Sequence, residues 1–196
     1  MTEILLVRHG QSEWNALGRW QGQADPPLSD LGRTQAMAAA ERIGTVDIIV
    51  ASDLQRAAET AAIISRAIGV GPIVLEPGLR ERDAGEWSGL TRDEIDRDWP
   101  GYLPEQQRPP GFEAHDPFIA RIRAALDRVH AAYEGAEVLV VAHGGLVYSL
   151  EEEYGTRRGR LANLGALELT HHGDRLVVGE RVDLVDHDLL TANAQL

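Results

Sequence analysis

The chain of 196 residues contains no lysine and no cysteine, so every one of its 19 basic residues is arginine. Without lysine there can be no P-loop lysine, no Schiff base and no Ser–Lys catalytic pair. Without cysteine there is no thiolate nucleophile, no disulfide, no iron–sulfur cluster and no cysteine-ligated zinc. A chain free of disulfides suits a reducing compartment. Aromatic residues make up only 5%, so the core must be built from Leu, Val, Ile and Ala. No apolar run approaches the roughly 20 residues of a membrane span, and the opening Met1–His9 turns charged after four apolar residues, unlike a signal peptide. A cytoplasmic protein is expected. Positive charge is scarce: 31 Asp and Glu give a net charge of −12. That field repels phosphate backbones and anionic lipid, so neither nucleic acid nor a membrane is an expected partner.

The length suits one domain. Ile4–Val7, Val46–Val50 and Val138–Val141 are short apolar runs of the kind found in strands buried on both faces. Between them lie helical patterns. Ser29 caps a predicted helix from Asp30 to Ile43, ahead of Gly44. Ser52 or Asp53 caps a second, with Leu54, Ala57, Ala61 and Ile64 on one face and Gly69 at its end. Asp116–Pro117 opens a third, and a fourth follows Gly144–Gly145. Strands separated by helices of this length predict an α/β fold with a mainly parallel sheet. Leu167–Thr170 and Arg175–Val178 flank a turn and add an antiparallel edge. Residues 91–116 lack sustained periodicity and read as an excursion that carries specificity. The tail from Asp186 reads as loosely held.

Two predicted strands end directly in His-Gly, at His9–Gly10 and His143–Gly144, 134 positions apart. Ligands of open parallel sheets bind beyond the carboxyl ends of the strands, so both imidazoles can face one crevice. Arg8 directly follows the first strand. Arg56 lies in the first turn of the helix after Ser52–Asp53, where an anion is favoured. Two guanidiniums and two histidines there make an oxyanion pocket suited to phosphate. A zinc site built on His9 and His143 is the competing reading. It lacks a His-Glu-x-x-His pattern, and Arg8 and Arg56 would oppose the cation.

These residues resemble a known family. Leu6-Val-Arg-His-Gly-Gln-Ser-Glu-Trp-Asn15 is similar to the signature of the histidine phosphatase superfamily, the phosphoglycerate-mutase-like family. Ser52–Thr60, Leu79–Gly89 and Val141–Gly145 resemble its second, third and fourth blocks, in order. The resemblance covers nearly the whole chain and implies one histidine phosphatase domain over residues 1–196, a three-layer α/β/α sandwich. It implies a small phosphorylated metabolite as substrate, with no cofactor and no metal, and it leaves room for a homodimer. It implies His9 as the nucleophile, forming a phosphohistidine, with its other ring N–H held by a backbone carbonyl. Arg8, Arg56 and His143 would hold the phosphoryl oxygens, with Asn15, Gln21, Gly22 and Gly144 completing the phosphate site. Glu81 would protonate the leaving alkoxide, although Arg80 and Arg82 beside it also allow a plain ion-paired acid.

The family divides into phosphatases and cofactor-dependent phosphoglycerate mutases. Where those mutases carry a Tyr after the Glu this chain has Ala84, and where they carry Asn after His-Gly it has Gly145. The segment after the third block is short and acidic here. These departures favour the phosphatase. The remaining features have plainer readings. Trp14, Trp20, Trp87 and Trp99 cover a rim or fill a loop, His171–His172 is a surface pair, and His115 and His130 have no visible partner. Glu151–Glu153 is a solvated helix end, and Arg157, Arg158 and Arg160 form a basic loop that could reach a substrate carboxylate.

Overall fold

A computed structural model describes residues 1–186 and Leu189. In chain order the elements are β1 (Thr2–Arg8), the one-turn α1 (Glu13–Ala16), α2 (Asp30–Ala40), β2 (Ile48–Ala51), α3 (Gln55–Ile68) and β3 (Val74–Leu75). They continue with α4 (Arg92–Asp98), α5 (His115–Ala132), β4 (Glu137–Ala142), α6 (Gly144–Glu153), β5 (Gly165–His171) and β6 (Leu176–Asp183). The six strands form one sheet in the order β3-β2-β4-β1-β5-β6. β1, β2, β3 and β4 run parallel, and β5 and β6 add the antiparallel edge.

Alternation along the strands divides the core. Ile4, Leu6, Val138 and Val140 face one side, packed with Phe118, Ile122 and Leu126 of α5 and Leu146 and Leu150 of α6. Val7, Ile49, Leu139 and Val141 face the other, against Ala39 of α2 and Ala57, Ala61 and Ile64 of α3. Successive side chains of a strand point to opposite faces, so strands apolar in every position need helices on both. The expected three-layer α/β/α sandwich results. No helix of the described residues is long and apolar enough to cross a membrane.

Local chemistry differs from expectation in several places. The Ser29 hydroxyl does cap α2, accepting from Gly32 N at 3.1 Å, but the helix ends three residues before Ile43. β2 begins at Ile48, two residues after Val46. Neither Ser52 nor Asp53 caps α3. The Gln55 amide donates instead to Asp25 Oδ1, 30 positions earlier, and Asp53 pairs with Arg80. α5 begins at His115, which puts Pro117 in its first turn, where a missing N–H costs nothing. Within 91–116 the Thr91–Glu94 capping box starts α4, too short a helix to show a periodicity. The two-residue β3 was not expected either.

The Glu151 side chain is fully buried and bonded through both oxygens to Arg181 of β6, at 2.7 Å each, so this helix end is not simply solvated. His171 is 3% exposed, bonded to Asp127 and stacked on His130 at 4.5 Å, and is no surface residue. His130 itself meets Thr2 Oγ1 at 2.8 Å. In the expected loose tail, Asp186 pairs with Arg42 and the Leu189 carbonyl accepts from Gln35. The rest of that expectation lies outside the described residues.

Candidate active site

β1 and β4 are sheet neighbours with Val7 opposite Val141 and Arg8 opposite Ala142. Both strands therefore stop at one level and deliver their histidines side by side. The rings of His9 and His143 lie 5.1 Å apart, edge to face at 66°. His9 Nδ1 is 2.6 Å from the Gly10 carbonyl, which can only accept, so Nδ1 carries the proton. The Nε2 lone pair is left available and accepts from Arg56 Nε at 3.2 Å. His143 Nε2 meets Ser52 Oγ at 2.9 Å, while its Nδ1 is buried with no partner among the described residues. Burial, reinforced by the charge of Arg56, holds both imidazoles well below the ordinary histidine range. Both rings are neutral at pH 7.

Arg8 and Arg56 are buried cations beside these rings, 8% and 0% exposed. Neither has a carboxylate within ion-pair distance among the described residues. Arg56 is held by carbonyls, Nη1 to Ala24 O at 2.8 Å and Nη2 to Gly22 O at 2.9 Å. Arg8 Nη1 donates to Leu161 O at 2.6 Å. Burial lowers Arg8 and pushes Arg56 down to about 10, so both stay charged near neutrality. Two buried guanidiniums lacking a counter-ion are costly, and an incoming anion would relieve the cost. Gly22 has φ +50°, and a Cβ there would approach Ala84 N to 2.5 Å. A side chain at 22 would thus dislodge the carbonyl that Arg56 uses.

Glu81 lines the same cavity. Its Oε1 accepts from Arg82 N at 2.7 Å and its Oε2 from Gly145 N at 3.0 Å, in the first turn of α6. The flanking arginines are engaged elsewhere: Arg80 with Asp53, and Arg82 with Ser149 Oγ at 3.0 Å and over the Phe118 ring at 4.4 Å. The ion-paired surface acid allowed by the sequence does not form. Asn15, Gln21, Gly22 and Gly144 also line the cavity, and Gln21 Oε1 accepts from Ser12 Oγ at 2.8 Å. His143 packs behind His9 and is not part of the lining. The cavity measures about 870 Å³. Trp20 lines it, whereas Trp87 is fully buried beneath, edge to face with Trp20 and Phe112.

Sequence reasoning missed a group that fixes the nucleophile's backbone. The buried Asn163 donates from Nδ2 to the His9 carbonyl at 2.9 Å and lies 3.4 Å from Asn15 Oδ1. Leu164, at φ +58°, donates its amide to the Arg8 carbonyl at 3.0 Å. Tyr148 Oη accepts from Leu161 N at 2.8 Å. Residues 161–164 therefore hold the Arg8 side chain and the carbonyls of Arg8 and His9 together. An Asn before a strand is too common a turn signal to have revealed this.

The family model for the histidine phosphatase superfamily (branch 1) matches residues 4–175. The chain is 36% identical over 160 residues to metal-independent phosphoserine phosphatase of Arabidopsis thaliana, covering 76% of this chain and 67% of that one. It is 39% identical over 162 residues to glucosyl-3-phosphoglycerate phosphatase of Mycobacterium tuberculosis (strain CDC 1551 / Oshkosh), covering 75% and 72%. Against some relatives the match spans only 41% of the relative's length. Among solved structures, mycobacterial glucosyl-3-phosphoglycerate phosphatase with VO3 superposes with a TM-score of 0.80 at 33% identity, covering 90% of this chain and 96% of that one. With four motif blocks in order, one sheet that gathers them and a family match over most of its length, the chain belongs to the histidine phosphatase superfamily, branch 1.

Proposed function

We propose that the protein is a phosphatase that hydrolyses small phosphate monoesters through a phosphohistidine on His9. The observation that carries this reading is the state of His9: a neutral ring, its proton held at Nδ1 by Gly10, its unprotonated Nε2 facing the buried Arg56, whose Nε–H would pass to the incoming phosphoryl group. In the first step Nε2 attacks phosphorus, the N–P bond forms and the ester P–O bond breaks. Arg8 and Arg56 bind the phosphoryl oxygens and stabilise the charge that spreads over them, usually the largest catalytic term. Asn15 and Gln21, which line the cavity, adjoin the same oxygens, and His143, outside the lining, supports the His9 ring edge to face at 5.1 Å. Protonated Glu81 gives its proton to the leaving alkoxide. In the second step a water attacks phosphorus, Glu81 takes the water's proton, the N–P bond breaks and inorganic phosphate leaves. The excursion over residues 91–116 supplies part of the wall that selects the alcohol.

Hydrolysis is favoured over the mutase reaction by the residues around this chemistry. Gly145 and Ala84 bring no side-chain donor to the cavity they line with Glu81, and both named relatives above are phosphatases. A metal ion at His9 would have to sit against two buried guanidiniums, which opposes it.

The test is rapid-quench labelling with a 32P-labelled ester. Wild type should form an acid-labile, alkali-stable phosphoenzyme, and His9→Ala should form none and lose turnover while remaining folded. Undiminished turnover in His9→Ala would overturn the proposal. Efficient conversion of 3-phosphoglycerate to 2-phosphoglycerate with a bisphosphoglycerate primer would make the mutase reading correct.

A further inference from the structure

The chain around Glu81 is held from outside the cavity. Arg121, on α5, uses every N–H of its guanidinium. Nη1 donates to Gly78 O at 3.0 Å and to Arg80 O at 2.6 Å, and Nη2 donates to Glu81 O at 2.8 Å. The two remaining N–H groups form a fork on Glu113, Nε to Oε1 and Nη2 to Oε2, at 2.8 Å each. Glu113 lies at the end of the 91–116 excursion and reaches the same loop itself. Its Oε2 accepts from Asp83 N at 3.2 Å, and its own amide donates to Asp83 O at 3.0 Å. Neither Arg121 nor Glu113 lines the cavity.

One of these bonds bears on the carboxyl group of Glu81. A peptide unit is planar and trans, so its C=O and N–H point in opposite directions and turn together. In the unit that joins Glu81 to Arg82, the C=O accepts from Arg121 Nη2, and the N–H donates to Glu81 Oε1 at 2.7 Å. Fixing the carbonyl therefore aims the amide. Glu81 Oε2 accepts from Gly145 N at 3.0 Å. The carboxyl group is thus seated between one amide set by α6 and one set by Arg121. A lysine could not serve in this place, because three carbonyls and a carboxylate need a planar fork with five donors and an ammonium has three.

We propose that Arg121 and Glu113 are positioning residues for the general acid, acting on protonation of the leaving group through the peptide between residues 81 and 82. The inference rests on the role given to Glu81 above. Both residues stand outside the cavity, so the clamp of Arg8 and Arg56 and the attack of His9 Nε2 proceed without them. Disturbing the pair impairs the proton transfers of Glu81 and little else. A plain tie between α5 and the excursion would instead lower activity on every ester alike, by lowering the folded fraction.

A double-variant cycle tests it. p-Nitrophenyl phosphate and p-nitrobenzyl phosphate share a ring and a nitro group, but the benzyl alkoxide needs a proton to leave. kcat/KM ends at departure of the alcohol, so the later attack of water does not enter. Arg121→Lys keeps a cation opposite Glu113 without the fork, and Glu113→Gln keeps the shape without the charge. The two side chains are 23% and 17% exposed, so a partner left behind can take water and the fold should persist. Each variant should lose about 10- to 10²-fold in kcat/KM on the benzyl ester, the scale of a misplacement of about 1 Å, and less than about twofold on the phenyl ester. On a Glu81→Gln background the same changes should cost nothing further on either ester, because a group that acts through Glu81 has nothing left to place. Equal losses on the two esters, losses that multiply with Glu81→Gln, or full activity in both variants would overturn the positioning role and leave the phosphatase standing. If Glu81→Gln alone lost no more on the benzyl ester than on the phenyl ester, the role of Glu81 itself would fall, and this inference with it.

Discussion

Gly145 keeps a place open for Glu81. A Cβ on residue 145 would come within 2.9 Å of Glu81 Cδ and closer still to Oε1, while the Gly145 amide donates to Oε2 at 3.0 Å. The backbone of Gly145 is not left-handed, so the residue is glycine for space rather than for conformation. The obstructed atom is the far end of a flexible side chain, and the cheapest relief is for Glu81 to swing away. Gly145→Ala should therefore keep the fold, with stability unchanged or higher by up to about 1 kcal/mol from helix propensity. Turnover of alkyl phosphates should drop by about 10²-fold, the usual worth of a general acid. An aryl phosphate, whose leaving group needs little protonation, should lose less in a single-turnover phosphorylation assay. Equal turnover of wild type and variant would show that Glu81 need not sit there.

Arg56 cannot be replaced by lysine. It serves His9 Nε2, Gly22 O and Ala24 O through three different nitrogens, which one ammonium cannot span. Arg56→Lys should lose about 10²–10³ in kcat, as for removal of an oxyanion donor. Competitive inhibition by vanadate should weaken in parallel, measured as the inhibition constant against p-nitrophenyl phosphate.

Acid should destabilise the free enzyme earlier than carboxylates alone would. Burial holds His9 and His143 below the ordinary value near 6.5, so in this window the unfolded chain binds more protons than the folded one. The stability contributed by keeping them neutral is full above about pH 6.5 and is lost as pH falls toward their folded values. Each site can contribute up to about 1.4 kcal/mol per pH unit. Urea unfolding at pH 7.5, 6.5 and 5.5 should show the loss, and His9→Gln/His143→Gln should flatten it.

Asn163 should act on rate as well as stability. Asn163→Ala leaves the buried His9 carbonyl without this donor, a loss of about 1–3 kcal/mol seen in the unfolding free energy. Because that carbonyl belongs to the nucleophile, kcat should fall at substrate saturation, with a slower phosphorylation step in rapid quench. A stability loss with kcat unchanged would make Asn163 structural only.

The elements that position His9 and His143 are legible in the sequence, because each histidine follows an unbroken apolar run and precedes a glycine. Local signals report local partners well: Ser29 caps α2, and Gly69, at φ +75°, ends α3. What stays hidden depends on partners that the sheet order brings from afar. Glu151 looks solvated until β6 delivers Arg181, and His171 looks exposed until α5 delivers Asp127 and His130. Ser52 reads as a cap, yet its hydroxyl meets His143, 91 positions away. Asn163 carries no pattern of its own, and Gly145, though it ends the fourth block, gives no sign in sequence of the space it keeps for Glu81. Their importance is a matter of what lies within 3 Å.

The central place of β1 has a consequence for synthesis. β1, made before the other five strands of this sheet, is bordered on one side by β4 and on the other by β5, both from the last third of the described chain. At about 5–20 residues per second, the about 130 residues separating β1 from β4 take roughly 6–26 s to emerge. For that interval an apolar strand leaves the ribosome with both edges unpaired, the state most open to association with other chains. A nascent chain that stops before β4 has neither His143 nor any sheet to hold Arg8 and His9, so β1 must be shielded until residues near the far end arrive.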